Sequence, residues 1–144
     1  MRPRRATEAD LHDVEALLRS CSLPVGGIRG DAVEFHVSRD KRGLLGCAGI
    51  EVFGGSVGLL RGVAVAQRAR RAGLAALLVS ALVADIRLRG IDTLVVGTKA
   101  AAGYFSRLGF TPIDRAVIPP EVLASREFAD AGIIETPPLM KAEL

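Results

Sequence analysis

The run Leu59-Leu60-Arg61-Gly62-Val63-Ala64-Val65, a short polar turn, and then Arg70-Arg71-Ala72-Gly73-Leu74-Ala75 constrain this chain more than any other feature. The first part is apolar and of strand length. The second opens a stripe at helical spacing (Leu74, Leu77, Leu78, Ala81, Leu82, Ile86) that ends near Arg87-Leu88-Arg89, with Gly90 placed as a C-cap. A strand that runs into a helix start leaves backbone N–H groups without an internal partner, at the positive end of the helix dipole. Glycine and arginines at such a junction make an anion site suited to a phosphate-bearing ligand. Asp92 to Gly97 follows the helix as a short buried strand. Strand, helix, strand in that order predicts a parallel pair with a right-handed crossover.

The flanking segments read as further strands and helices around this unit. Residues 2–6 suit a short first strand. Thr7 is placed as an N-cap with Glu8 and Asp10 in the first turn, and Leu11, Val14, Leu17, Leu18 and Cys21 recur at helical spacing, which predicts a helix from Glu8 to Cys21. Leu23 to Asp31, with Pro24 and three glycines, is a loop. Val33, Phe35 and Val37 alternate with Glu34, His36 and Ser38, so His36 is expected on the exposed face of a half-buried strand. His12 falls on the polar side of the first helix. Leu44 to Phe53 is apolar on both faces, as in a central strand, and Glu51 is its only charge, on the face of Leu45, Cys47 and Phe53. Gly54-Gly55-Ser56 turns the chain into Val57 to Val65, whose only charge is Arg61. A tight hairpin puts Glu51 and Arg61 on one face, opposite or diagonal to each other. Downstream, residues 100–108 suit a short helix stopped by Gly109, and Phe110 to Ile118 a strand. Pro119-Pro120 starts a brief helix through Phe128. Residues 133–140 suit a last strand, which Pro137-Pro138 confines to an edge or a bulge.

No repeat, low-complexity tract or linker divides the 144 residues, so residues 1–144 are read as one α/β (α+β) domain, large enough to bury a core. The net charge of +3 is carried almost wholly by arginine. With one Tyr, five Phe and no Trp, the chain has no platform on which single-stranded bases would stack, and a small anionic ligand is the better match to its charge. Cys21 and Cys47 match no metal-ligand spacing, and no metal is expected. The basic start is not followed by an apolar signal core, and no apolar run reaches bilayer length. The expected location is the cytoplasm, without a membrane partner.

Two motifs carry a resemblance. Arg70-Arg71-Ala72-Gly73-Leu74-Ala75, after a strand and opening a helix, matches the pattern Gln/Arg-x-x-Gly-x-Gly/Ala, and Leu108-Gly109-Phe110 ends a short helix downstream. In register over residues 57–113, these resemble the GNAT superfamily of N-acetyltransferases. A narrower resemblance, on residues 46–54, Leu59-Leu60-Arg61 and residues 119–128, is to acetyltransferase-like proteins encoded beside bacterial arsenic-resistance genes. The tail at Gly132-Ile133-Ile134 departs from that subgroup.

The resemblance implies a GNAT-type mixed sheet of six to seven strands, flanked by helices, with a splayed central parallel pair. It also implies acetyl-CoA as acyl donor. The pyrophosphate would lie on the backbone amides of Arg71, Ala72, Gly73, Leu74, Ala75 and Ala76. The pantetheine arm would run beside Val63, Ala64 and Val65, with Arg68, Arg70 and Arg71 adding counter-charge. Members often carry Gly at the position of Arg71.

Acetyl transfer to nitrogen needs a neutral amine, a stabilised oxyanion and a proton for the leaving thiolate. Glu51 is the candidate base, since a lone carboxylate on a buried strand has its pKa raised unless an opposite charge lowers it. Arg61 is such a charge. Three readings stay open: Glu51 as base, Glu51–Arg61 as a structural pair, or Arg61 receiving a carboxylate or oxyanion of the acceptor while Glu51 reads its ammonium. Many GNAT members place a tyrosine acid where this chain has Phe105. Its only tyrosine, Tyr104, stands one residue earlier, about 100° around a helix. Tyr104 is therefore either the catalytic acid or a packing residue, in which case water serves or no acid is needed, with Ser106 and Thr98 as weaker alternatives. The function expected is acetyl-CoA-dependent N-acetylation of a small or amino-acid-like amine, and the alternative is a GNAT-like acyl-CoA sensor. The partners expected are acetyl-CoA and the acceptor, without nucleic acid. A homodimer is left open.

Overall fold

The computed structural model describes residues 2–30, 33–98, 101–129 and 138–144. In chain order the elements are β1 (Arg4–Arg5), α1 (Leu11–Ser20), β2 (Val33–Asp40), β3 (Gly43–Phe53), β4 (Val57–Val65), α2 (Leu74–Leu88), β5 (Thr93–Gly97), α3 (Ala102–Arg107), β6 (Thr111–Pro112), α4 (Pro120–Leu123), α5 (Arg126–Ala129) and β7 (Leu139–Glu143). They build one seven-stranded sheet in the order β1-β2-β3-β4-β5-β7-β6, antiparallel except for the β4–β5 pair. That parallel pair is joined through α2, as the strand–helix–strand pattern requires. Among the described residues no helix is long and apolar enough to cross a membrane.

Three apolar clusters cover the sheet. α2 packs Leu78, Leu82 and Ile86 on one face against Ala48, Ile50, Leu60 and Leu94. On the other face α1 sets Val14 and Leu18 against Phe35, Val37 and Cys47. Next to it, Val122 of α4 and Phe128 of α5 join Leu59, Val95 and Leu139. The central strands are thus buried on both sides, which is why β3 and β4 read as nearly continuous apolar runs.

Two bulges change which side chains share a face. Ser38 pairs with Gly46 and Arg39 with Leu44, so Leu45 is an extra residue on β3. Leu45 accordingly joins the α2 cluster, while Leu44 packs on the α1 side with Cys47. The expected face of Glu51 therefore keeps Cys47 and Phe53 but loses Leu45. In the β3–β4 hairpin Cys47 pairs with Ala64 but Gly49 with Arg61, so Gly62 and Val63 together oppose Ala48. Gly62 takes φ +60°, the left-handed glycine of such a bulge.

Several local expectations are corrected. The first helix begins as a 3-10 turn over Glu8–Asp10, and α1 proper starts at Leu11. Asp10 stands in the first turn as expected and closes a capping box with Thr7. It is buried, accepts from Arg4 Nη1 (2.9 Å), Arg39 Nε (2.8 Å) and the Thr7 amide (2.8 Å), and ties β1, β2 and α1 together. The Arg4 guanidinium, with these other donors, holds its carboxyl well below the usual carboxylate range. Only Thr111–Pro112 of the expected strand at 110–118 forms, and a 3-10 turn over Arg115–Val117 follows. The last strand is Leu139–Glu143 rather than 133–140. It lies inside the sheet between β5 and β6, because both prolines precede its paired residues; residues 133–137 fall outside the described ones.

His36 was expected on an exposed face and is buried. Its register partner is Ala48, so it points to the side that α2 covers. Burial holds its imidazole below the ordinary histidine pKa. The acids Asp85 and Glu34 pull upward, and Arg5 and Arg89 push further down. The folded state therefore refuses a proton that the unfolded chain accepts, and stability is lost as pH falls below about 6.5. Urea unfolding at pH 7 and pH 5 is expected to show this loss in the wild type and a smaller one in His36→Leu. An equal loss in both would remove His36 as its source.

Candidate functional site

The bulge at Gly62 builds the site. β4 pairs with β5 only from Val57↔Thr93 to Leu60↔Val96, after which the two strands part. The extra residue reverses the alternation of β4. Leu59 and Arg61 face the α1/α4 side, and so does Ala64, whereas Val63 and Val65 join Leu60 on the α2 side. A Cβ on Gly62 would come within 2.9 Å of the Phe35 ring, so both its φ and its packing require glycine.

On the α2 side a groove of about 610 Å³ runs from Val63 and Val65 past Arg70, Arg71 and Gly73 to the first turn of α2, with Tyr104 and Phe105 along its other wall. Arg71 (φ +67°) and Gly73 (φ +77°) are both left-handed and curl the backbone into the helix. The first backbone bond of α2 runs from the Leu77 amide to the Gly73 carbonyl (3.1 Å), so the amides of Leu74, Ala75 and Ala76 precede the ladder. A Cβ on Gly73 meets nothing within 4 Å, which leaves the cradle open for a ligand. These features fit a phosphate group held by backbone amides.

Of the residues expected at this cradle, Val63, Val65, Arg70, Arg71, Gly73, Leu74, Ala75 and Ala76 line the groove. Three do not. Ala64 faces the α1 cluster because of the bulge. Ala72 lies in the turn but outside the groove wall. Arg68 turns to Asp40, to which it donates two bonds of 2.7 and 2.8 Å, so its charge is already matched.

On the opposite face a buried charged cluster sits under β3 and β4. Gly49 pairs with Arg61 and Glu51 with Leu59, so Glu51 and Arg61 are diagonal. Arg61 is 2% exposed. Its Nη1 donates to Glu51 Oε1 (3.3 Å), its Nη2 to the Gly26 carbonyl (2.5 Å), and its Nε lies 3.9 Å from Glu127 Oε1. Ser125 Oγ also donates to Glu51 Oε1 (2.6 Å) and accepts from the Glu127 amide (3.1 Å). Glu127 Oε1 is buried without a hydrogen-bond partner among the described residues, as is Arg61 Nε. Burial pushes the Glu127 carboxyl up to about 7; Arg61 pulls it down and Glu51 adds to the rise. Glu127 was absent from the candidates read in the sequence. Its only trace there is a charge between Ser125 and the apolar Phe128, and nothing in that spacing announces Arg61, 66 positions earlier.

Between the parting strands a smaller cavity of about 130 Å³ is lined by Arg61, Gly62, Val96, Thr98 and Glu127, among others. It shares Val63, Ala101 and Phe105 with the groove, so the two spaces adjoin. Glu51 does not line it and instead borders a pocket of about 680 Å³ under the loop of Val25 to Gly30. Phe105 is buried in the α2 cluster, edge-on to Tyr104 and Phe110 at 5.3 and 5.4 Å. The Tyr104 hydroxyl is buried without a partner among the described residues, and burial raises its pKa. Thr98 Oγ1 accepts from the Ala101 amide (3.0 Å), while Ser106 lies on the exposed side of α3. Among the described residues no group of His, Cys, Asp and Glu side chains is arranged to hold a metal ion.

A model of the acetyltransferase (GNAT) domain matches residues 31–112, more than half of the chain. No curated protein matches the chain by sequence. Among solved structures, N-acetylglutamate synthase from Neisseria gonorrhoeae, complexed with coenzyme A and N-acetyl-glutamate, superposes with TM-score 0.79 at 18% identity, over 99% of this chain and 34% of that one. The chain thus spans about a third of that enzyme. A Mycobacterium tuberculosis protein solved in complex with CoA gives 0.75 at 21% identity, over 99% and 98%. Tetrahymena GCN5 gives 0.76 at 18%, over 99% and 96%. These likenesses establish the fold: one seven-stranded mixed sheet with its parallel pair flanked by helices.

The strained turn makes its own prediction. Arg71 is exposed and left-handed, which costs a non-glycine residue about 1–2 kcal/mol, against about 0.5–1 kcal/mol of extra chain entropy for glycine. Arg71→Gly is therefore expected to raise stability by up to about 1 kcal/mol, read by urea denaturation. A loss of stability would show that the side chain, not the backbone, holds this turn.

Proposed function

The chain belongs to the acetyltransferase (GNAT) family, and from that membership we propose that it is an acetyl-CoA-dependent N-acetyltransferase acting on the amine of a small molecule. The observation that carries this is the junction of two spaces at one point: the open groove over the start of α2 meets the cavity where β4 and β5 part. Acetyl-CoA in the groove supplies an activated acetyl thioester.

In this reading the amides around Gly73 to Ala76 receive pyrophosphate, with Arg70 and Arg71 as counter-charge. β4 pairs with β3 on one side but has no β5 partner beyond Leu60, so its other edge at Val63 and Ala64 is left to bond an extended amide-bearing arm and to place an N–H at the thioester oxygen, while the Val65 carbonyl takes Arg70 Nε (3.1 Å). Arg68, paired with Asp40, takes no part. Arg61 is engaged by Glu51 and the Gly26 carbonyl, which favours the ion-pair role over direct capture of an acceptor carboxylate. Tyr104 lines the groove with a protonated, unpartnered hydroxyl, and we assign it the proton that the thiolate takes. Residues 1–144 acting as one domain and a cytoplasmic place belong to the same proposal. The likeness to proteins encoded beside arsenic-resistance genes adds a setting without naming an acceptor.

Acetyl-CoA at about a hundred times its Kd is expected to stabilise the protein by about 2.7 kcal/mol, seen as a rise in Tm. Gly73→Trp fills the cradle and is expected to abolish that rise with the fold intact by circular dichroism; an undiminished rise would place the cofactor elsewhere. Tyr104→Phe is expected to lower kcat about tenfold or more at unchanged acetyl-CoA affinity. An unchanged kcat would leave Tyr104 as packing.

A further inference from the structure

The acetyl-transfer reading, on which this inference rests, leaves open which group takes the acceptor's proton. Among the described residues the cavity between the parting ends of β4 and β5 has two ionisable groups in its lining, Arg61 from β4 and Glu127 from α5. Leu23, Val63, Val96 and Phe105 make most of the rest apolar, with the hydroxyl of Thr98 at one side. Two carboxylates, Glu51 and Glu127, face one guanidinium. With both ionised the cluster carries one spare negative charge, which a cationic head would balance and a carboxylate would worsen. Among the described residues Glu51 Oε1 takes two donors, whereas Glu127 Oε1 takes none.

We propose that Glu127 is the catalytic base: its carboxylate receives the ammonium of a short primary alkylamine in this cavity and takes a proton from it, while Arg61, Glu51 and Ser125 position it. Ser125 is the tie, since its hydroxyl bonds both Glu51 on β3 and the Glu127 amide at the start of α5. Among the described residues the ionisable groups that face Glu127 are Arg61 and Glu51. The neighbouring lining residues of β5 and α3, and Leu23 of the loop after α1, are not ionisable. A carboxyl pushed up to about 7 by burial is half-ionised at neutral pH and is a far better proton acceptor than an ordinary one.

The step balances. Glu127 takes one proton from the ammonium, and the freed lone pair forms the N–C bond to the acetyl carbon as the C–S bond breaks. The nitrogen's next proton is matched by the one the thiolate gains, Glu127 returns its own to water, and one proton is released per acetyl group transferred.

Ethylamine and acetyl-CoA are the probes, with CoA release as readout. Wild-type kcat/KM for ethylamine is expected to break near pH 7 as the base titrates. Glu127→Gln is expected to lose that break and at least 100-fold in rate at pH 7.5, with its acetyl-CoA thermal shift unchanged. Glu51→Gln is expected to retain a break. Carboxyl 13C NMR of the glutamate-labelled wild type needs neither turnover nor a folded variant. One resonance is expected to titrate near 7, and its midpoint is expected to fall when ethylammonium chloride is added. A profile unchanged in Glu127→Gln, or no glutamate resonance that responds to ethylammonium, would overturn the assignment. Absence of any acetyl-CoA thermal shift in the wild type would instead overturn the acetyltransferase reading beneath it.

Discussion

Burying Arg61 is the constraint around which the site is arranged. A guanidinium 2% exposed in the middle of a sheet would be costly alone, and three elements converge on it: β3 and the loop after α1 accept its hydrogen bonds through Glu51 and the Gly26 carbonyl, and α5 brings the Glu127 carboxylate to 3.9 Å. The cluster couples residues far apart in the chain into one place. Because Glu51 and the Gly26 carbonyl use two of its nitrogens, the third is left near Glu127 Oε1, which has no donor among the described residues. The result is a structural ion pair and a protonatable group in contact, with different roles set by their partners.

The bulge at Gly62 decides what else lies beside that cluster. One extra residue on β4 turns Val63 and Val65 to the α2 face while Arg61 stays on the other, so the groove and the charged cluster occupy opposite sides of the same strand. The strand also parts from β5 at this level, which opens a passage between the two sides. In the proposed reaction, the donor in the groove and the amine at Glu127 meet at this passage. The same bulge needs a glycine, since its φ is positive and its Cβ would collide with Phe35.

The parts of the fold legible in the sequence were those governed by local periodicity. The helix over Leu74–Leu88, the hairpin at Gly54-Gly55 and the parallel pair that the crossover demands follow from apolar spacing and turn glycines. Glu51 and Arg61 were readable as a pair because a tight hairpin fixes parity between neighbouring strands. His36 was misplaced because alternation tells which side chains share a face but not whether the second face is covered; α2 covers it. Leu45 was misplaced because a bulge reverses alternation and leaves little signature in composition.

The sequence by itself determined the cradle: a strand, a glycine-bearing turn and a helix start are contiguous, so their backbone amides converge wherever the chain folds. Only the tertiary structure decided the charged cluster. Glu127 and Gly26 reach Arg61, and Ser125 reaches its partner Glu51, from segments separated by dozens of residues, and their meeting depends on how α5 and the loop after α1 pack on the sheet. The raised pKa of Glu127 arises from that packing as well, because desolvation is a property of the surroundings and not of the residue.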